Sequence, residues 1–223
     1  MRLKLTALAA LAALMALSVT ALASGGGMPN MPGMSHSHAQ TASASDLRSL
    51  LDRQLGQHAV LAMNATNAGV KGSKAFPAAA KALDQNSVAL SKTIASVYGA
   101  KAGNTFLNGK YMWRAHIKFF VDYTVATAKG NKAGQAKAVA NLKTYTVKFG
   151  DFLATATKLP KPAVQADLLA HVLGLKGQLD AYAHGQYAKA ATLYAQSYDH
   201  MFMTGDLLAN AIAKEYPDKF PAK

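Results

Sequence analysis

The segments His116–Gly130, HIKFFVDYTVATAKG, and His171–Gly185, HVLGLKGQLDAYAHG, decide the fold because they are two copies of one repeat. Each begins with a histidine and ends with a glycine 14 residues later. A weaker copy runs from His58 to Gly72 with the same spacing. Copies that recur at a regular interval along a sequence are typical of repeated helix pairs. We therefore expect three consecutive helical hairpins.

Composition favours helix throughout the repeated region. Ala, Leu and Lys are abundant, and proline is almost absent between Pro77 and Pro160, which suits long uninterrupted helices. The sequence predicts an all-α bundle of about six helices over residues 46–220. Ser45 and Asp46 are expected to cap the first helix, and the third is expected to span about residues 105–128.

The first 23 residues have the pattern of a secretory signal peptide. Arg2 and Lys4 precede an apolar run from Leu5 to Leu22, and Ala21-Leu22-Ala23 provides small residues at a cleavage site. We expect cleavage after Ala23 and a periplasmic or extracellular protein. The chain has no cysteine, so it forms no disulfide and binds no metal through a thiolate.

Charge and composition narrow the function classes. The formal net charge of +13 falls to +11 when Arg2 and Lys4 leave with the signal peptide. The lysines are scattered singly along the expected helices, which favours a solvated surface and leaves binding to anionic envelope polymers or a lipid surface open. No arginine cluster or reading motif indicates nucleic acid. Glu215 is the only glutamate, which excludes a Glu-ligated di-iron bundle, and no catalytic motif is present, so we expect no enzyme.

Four histidines lie on the apolar stripes of different expected helices, each 14 or 15 residues from a glycine turn: His58, His116, His171 and His200. A helix rises about 1.5 Å per residue, so all four should lie about 20 Å from their turns, in one layer. Two methionines are expected one turn beyond this layer. The predicted internal metal ligands are His58, Met112, His116, His171, His200 and Met203.

A second candidate site precedes the bundle, in a flexible segment expected over residues 24–45. Proline and glycine prevent a helix there, so its methionines have no core to pack into. The ligand candidates in this segment are Met28, Met31, Met34, His36 and His38. Thioethers and imidazoles together suit copper in either oxidation state. Both sets of residues therefore indicate a copper ion.

Three hypotheses follow from these patterns. The first is an exported copper-binding protein for sequestration or delivery, in which the flexible segment captures ions and the histidine layer holds one. The second is a bundle that binds haem b through a His and a Met, without covalent attachment because cysteine is absent. The third is a basic structural or cell-surface module whose histidines are hydrogen-bonded core residues, with Tyr123, Tyr145 and Asn86 as their partners.

A family resemblance covers nearly the whole region after the flexible segment. The residues that carry it are His58-Ala59, Trp113 with His116-Ile117, Asp122-Tyr123, His200-Met201-x-Met203 and Tyr216-Pro217-Asp218-Lys219-Phe220. From about residue 46 to residue 220 the chain resembles poorly characterised exported bacterial helical proteins, some of which are fused to domains named after the copper amine oxidase N-terminus. The resemblance implies an all-helical secreted domain. No motif here matches the oxidase catalytic residues, so none is carried over.

Overall fold

Seven helices and no strand occur in the computed structural model, which describes residues 42–222. The predicted all-α class is confirmed. The helices are α1 (Ala44–Val70), α2 (Phe76–Tyr98), α3 (Ala100–Asn108), α4 (Trp113–Ala128), α5 (Lys132–Thr157), α6 (Lys161–Ala183) and α7 (Tyr187–Glu215). Six of them are long, and α3 has only nine residues.

The long helices pair as the repeat predicts. Helices α1 and α2, α4 and α5, and α6 and α7 form three antiparallel hairpins. Glycines with positive φ, which only glycine adopts without strain, make the three turns at Gly72, Gly130 and Gly185. The hairpins also pack on one another: α1 contacts α7 most extensively and touches α4 and α6 as well, while α5 packs on α6. The bundle therefore closes around one core, with α1 in contact with every hairpin.

One predicted helix is broken in two. The third helix was expected to run from about residue 105, but α3 ends at Asn108 and α4 begins at Trp113. Gly99 has φ of +89° between α2 and α3, and Tyr111 has φ of 57° in the loop before α4. Gly103 lies inside α3, where an added β-carbon would lie 2.7 Å from the Ser91 carbonyl oxygen. The glycines thus let a short helix pack tightly on α2.

The start of α1 also differs from prediction. Ser43, and not Ser45, is the N-cap: its hydroxyl accepts from the Asp46 amide, and the Asp46 carboxylate accepts from the Ser43 amide at 2.8 Å. This reciprocal pair satisfies two otherwise free amides. The expected signal peptide and most of the expected flexible segment lie outside the described residues. Within residues 42–222, no helix combines the length and apolarity needed to cross a membrane.

The core is one large apolar cluster with two small satellites. The large cluster includes Leu55, Phe106, Trp113, Phe149 and Met201, which come from five different helices. A small cluster joins Leu47 to Ala209 and Ile212 at one end of the bundle. Burial of this apolar area is the main stabilising contribution to the fold. The histidines lie within this apolar interior.

Candidate metal centre

Three of the four histidines meet in the centre of the bundle. His58 lies on α1, His116 on α4 and His171 on α6, and all three are buried. Their ring centroids are 5.4 Å apart for His58 and His116, 5.9 Å for His58 and His171, and 6.5 Å for His116 and His171. The sequence predicted one layer of histidines, and these three, which we call the histidine trio, meet inside the bundle.

The nitrogens of the trio are close enough to share one ion. One nitrogen from each ring lies within 4.8 Å of one nitrogen from each of the other two. Three ligands bound tetrahedrally at about 2.0–2.1 Å from zinc or a similar ion lie about 3.3 Å apart. A metal would therefore draw these atoms together by at most about 1.5 Å.

The trio has few hydrogen bonds. Both ring nitrogens of His58, both of His171 and Nδ1 of His116 are buried and have no hydrogen-bond partner among the described residues. A buried polar atom without a partner costs about 1–3 kcal/mol, and native proteins pair nearly all such atoms. Among the described residues, these five nitrogens therefore lack the hydrogen bonds expected of a satisfied polar core.

Burial keeps the trio neutral. It lowers the pKa of His58 and of His171 well below the usual value, and a neighbouring histidine, His116 or His58 respectively, lowers each further. The pKa of His116 falls to about 3 because of burial and the nearby His171. Neutral imidazole is the form that binds metals. At neutral pH the trio needs to release no proton before it can bind a metal.

Aromatic rings form part of the wall around the trio. The Trp113 ring lies 4.6 Å from that of His58 and 4.9 Å from that of His116. The ring of Tyr145 stacks on His116 at 4.6 Å with an interplanar angle of 23°. Tyr145 was predicted as a hydrogen-bond partner of a histidine; it is a neighbour, but it packs face to face and does not form that bond. These rings keep the dielectric around the trio low.

Two internal cavities adjoin the trio. A cavity of about 110 Å³ contacts His171, Tyr145 and Trp113 and extends between apolar side chains of α1, α2, α5 and α7. A smaller one of about 30 Å³ contacts His58 and His116, and its lining includes Asp84 and Arg114. Asp84 and Arg114 form a two-pronged ion pair with N–O distances of 2.8 and 3.0 Å.

His200 lies next to the trio but does not belong to it. Its ring stacks on that of His171 with the centroids 6.4 Å apart. It is only half-buried, and its Nε2 lies 3.4 Å from Oδ1 and 3.3 Å from the backbone oxygen of Asp167. His200 therefore adjoins the trio without joining it, because it lies at the edge of the buried face of α7.

No family model, curated protein or solved structure matches this chain. The resemblance to exported bacterial helical proteins therefore stays a prediction. What the centre can do must be argued from its own residues.

The two methionines do not cap the histidines as expected. Met203 is 62% exposed, because α7 turns its Ser197, Met201 and Thr204 face to the core and Met203 lies about 200° around the helix from Met201. Met112 is not inside a helix at all. It is the N-cap residue of α4, and its side chain lies against Gly109.

Two predicted histidine partners bond elsewhere. The Tyr123 hydroxyl donates to Asp180 Oδ1 at 2.7 Å, since seven residues along α4 place it about 10 Å from His116. The Asn86 amide donates to the Gln54 backbone oxygen and to Gln57 Oε1. Neither side chain has a described hydrogen bond to an imidazole.

Two residues near the centre were not predicted from the sequence. Asp167 and Met201 both line the larger cavity together with His171. Asp167 precedes His171 by four residues on α6, so the shared helix face was the signal that could have identified it. Met201 follows His200 directly and was not among the predicted ligands. The five ligand candidates of the flexible segment, Met28, Met31, Met34, His36 and His38, lie outside the described residues.

Proposed function

We propose that the protein is an exported metal-binding protein that holds one late transition-metal ion, copper above all, between His58, His116 and His171. The observation that carries the proposal is the buried group of neutral imidazoles with unpartnered nitrogens. An ion would give one nitrogen of each ring a partner. The three ligands come from three helices, so the ion would also link three hairpins of the bundle.

The donor set limits the choice of metal. Three neutral imidazoles suit copper, zinc, nickel and iron better than magnesium or calcium, which prefer oxygen ligands. Affinity for nitrogen donors generally peaks at cupric ion. The thioethers and imidazoles at residues 28–38 favour copper again, which is why we place it before zinc.

Haem has less support as the bound group. A ligand of that size needs a pocket of several hundred Å³, and the two cavities beside the trio have volumes of about 110 and 30 Å³. Met203 faces outward and is not available as an axial thioether. The metal ion requires much less room and uses all three buried histidines.

The cellular role that fits this centre is sequestration or delivery. Export after cleavage at Ala23 would place the protein where copper ions arrive from outside. The methionines and histidines of the flexible segment would collect ions, and the buried trio would retain one. A carrier of this kind requires no catalytic group.

Competitive titration of the exported, metal-stripped protein with Cu⁺, Cu²⁺ and Zn²⁺ tests the proposal. Trp113 is the only tryptophan and lies against the trio, so quenching of its fluorescence by Cu²⁺ gives a local signal. We expect one ion per chain at the trio. Changing His116 to Gln should weaken its affinity by more than about 100-fold, because loss of a ligand should exceed the 10–100-fold effect of losing an outer-shell partner.

Two control proteins locate the site. His184→Gln changes an exposed histidine at the α6–α7 turn and should leave the affinity unchanged, as should deletion of residues 24–40. Affinity lost with the deletion alone would make the trio structural and the flexible segment the site. If no ion binds, the metal proposal fails, and salt-dependent binding of a polyanion would then support the basic surface module. Preferential binding of Zn²⁺ would identify zinc, and not copper, as the bound metal.

A further inference from the structure

A shallow groove between α6 and α7 leads from the protein surface to the trio. It has a volume of about 190 Å³ and is lined by Gly174, Gln196, Ser197 and His200, with His171 at its inner end. Gln196 is exposed at the rim, whereas Ser197 is buried. His171 therefore belongs both to the trio and to the wall of this groove.

Polar atoms suited to a cation lie in the groove and next to it: Ser197 and His200 line the groove, whereas Asp167 lines the adjoining larger cavity and contacts His200 from there. Ser197 Oγ is buried without a described partner and lies 3.0 Å from the position of a β-carbon at Gly174. The Thr204 hydroxyl donates to Asp167 Oδ2 at 3.1 Å, which holds the carboxylate near the His200 ring. His200 Nε2 and Asp167 Oδ1 are 3.4 Å apart, close to the separation of about 3.3 Å between two ligands of one small metal ion.

We propose that His200 and Asp167 form a capture site, through which a metal ion passes from the groove to the histidine trio. This inference rests on the proposed function. The ion would replace the His200–Asp167 contact, with the imidazole proton on Nδ1 and the Nε2 lone pair on the metal. Two protein ligands bind weakly compared with three, so the ion would move on to the trio by way of His171.

The geometry favours entry through the groove over entry through the small cavity beside His58 and His116. His171 has two unpartnered nitrogens, and the trio needs only one of them, so the same ring can take part on both sides. On the opposite side, the cavity beside His58 and His116 has a volume of only about 30 Å³, and the Asp84–Arg114 ion pair forms part of its lining. An ion entering through this cavity would meet one carboxylate, that of Asp84, which the Arg114 guanidinium already binds.

Stopped-flow mixing of the exported protein with Cu²⁺, followed by Trp113 quenching, tests the capture site. We expect His200→Ala and Asp167→Asn each to lower the association rate constant about tenfold, within the range that a charged cleft contributes to association. The equilibrium dissociation constant, measured against a competing chelator, should stay unchanged, because loss of a site on the route slows association and dissociation equally. Asp84→Asn is the matched control and should leave both constants unchanged.

Other outcomes would overturn the proposal. Unchanged association rates in His200→Ala and Asp167→Asn, or a slower rate in Asp84→Asn alone, would assign the route elsewhere while metal binding stands. A weaker equilibrium affinity with an unchanged association rate would make His200 a ligand of the bound ion. Absence of Cu²⁺ binding in the unchanged protein would instead overturn the proposed function. Circular dichroism tests whether each variant is folded. If a variant does not fold, His200→Gln, which keeps a polar group beside Asp167, takes its place.

Discussion

At the residue scale, the trio consists of bases that the fold keeps unprotonated. An imidazole with the ordinary pKa of 6.5 would carry part of a charge near neutrality, but burial prevents this at His58, His116 and His171. The identity of these residues could be read from the sequence, since each lies on an apolar stripe at the same distance from a glycine turn. The sequence could not show which groups Tyr123 and Asn86 bond to, or that Met203 faces solvent. Each residue along a helix rotates the side chain by about 100°, so a small error in phase places it on another side of the helix.

The neutral trio predicts that acid destabilises the metal-free protein. Unfolded histidine binds a proton below pH 6.5, whereas folded His116 does so only near pH 3. Stability should therefore be complete above about pH 7 and fall as the pH drops from 6.5 towards 3. His116 alone should account for about 2 kcal/mol between pH 7.5 and pH 5.

Urea denaturation at these two pH values measures this effect in the wild type and in His116→Leu, with a chelator present. The variant should lose about 2 kcal/mol less on acidification than the wild type. Equal losses in the two proteins would show that His116 is not a buried neutral base.

At the element scale, the packing of α1 on α7 brings the ends of the chain's helical part together. Gly56 and Gly205 lie in this contact, where side chains or backbone of the partner helix leave no room for a β-carbon. Periodicity predicted both helices and their hairpins, but it did not reveal that the first and last helices would pack so closely. Short α3 was also missed, because its glycines allow a break that composition alone does not indicate.

Gly205→Ala should destabilise the protein by about 1–3 kcal/mol, the usual cost of overpacking. An added β-carbon would lie 3.1 Å from the backbone nitrogen of Asp52 and would also contact the Asp52 carboxylate, so the helices would have to separate. Gly177→Ala is the matched control on α6, since its nearest neighbour, Leu193 Cδ1, is 3.6 Å away. It should stabilise by up to about 1 kcal/mol through helix propensity. Urea denaturation of both variants measures the difference, and equal effects would contradict the close packing of α1 and α7.

At the scale of the whole molecule, a metal at the trio would join α1, α4 and α6. Binding to the folded state alone stabilises by about 4 kcal/mol when the free ion is at 1,000 times its dissociation constant. For a domain of this size that corresponds to a rise in Tm of about 10 °C. Calorimetry with and without Cu²⁺ measures the rise in Tm, with His116→Gln as the control, which the same ion concentration should stabilise by no more than about 1.4 kcal/mol.

Hydrogen exchange distinguishes a linked bundle from local binding. Metal should slow amide exchange in α1, α4 and α6 together, because one ion restrains all three helices. Slower exchange confined to residues 24–40, with no rise in Tm, would show that the ion binds only that part of the chain.

The helical class, the three hairpins and the histidines of the trio could be predicted from the sequence, because they depend on local propensity, glycine turns and a period that repeats along the chain. The folded arrangement was needed to show that three histidines converge while His200 contacts Asp167, and that Met203 faces solvent. Convergence depends on how the hairpins rotate and pack against one another. That arrangement is set by side-chain fit across the whole core, which no local pattern encodes.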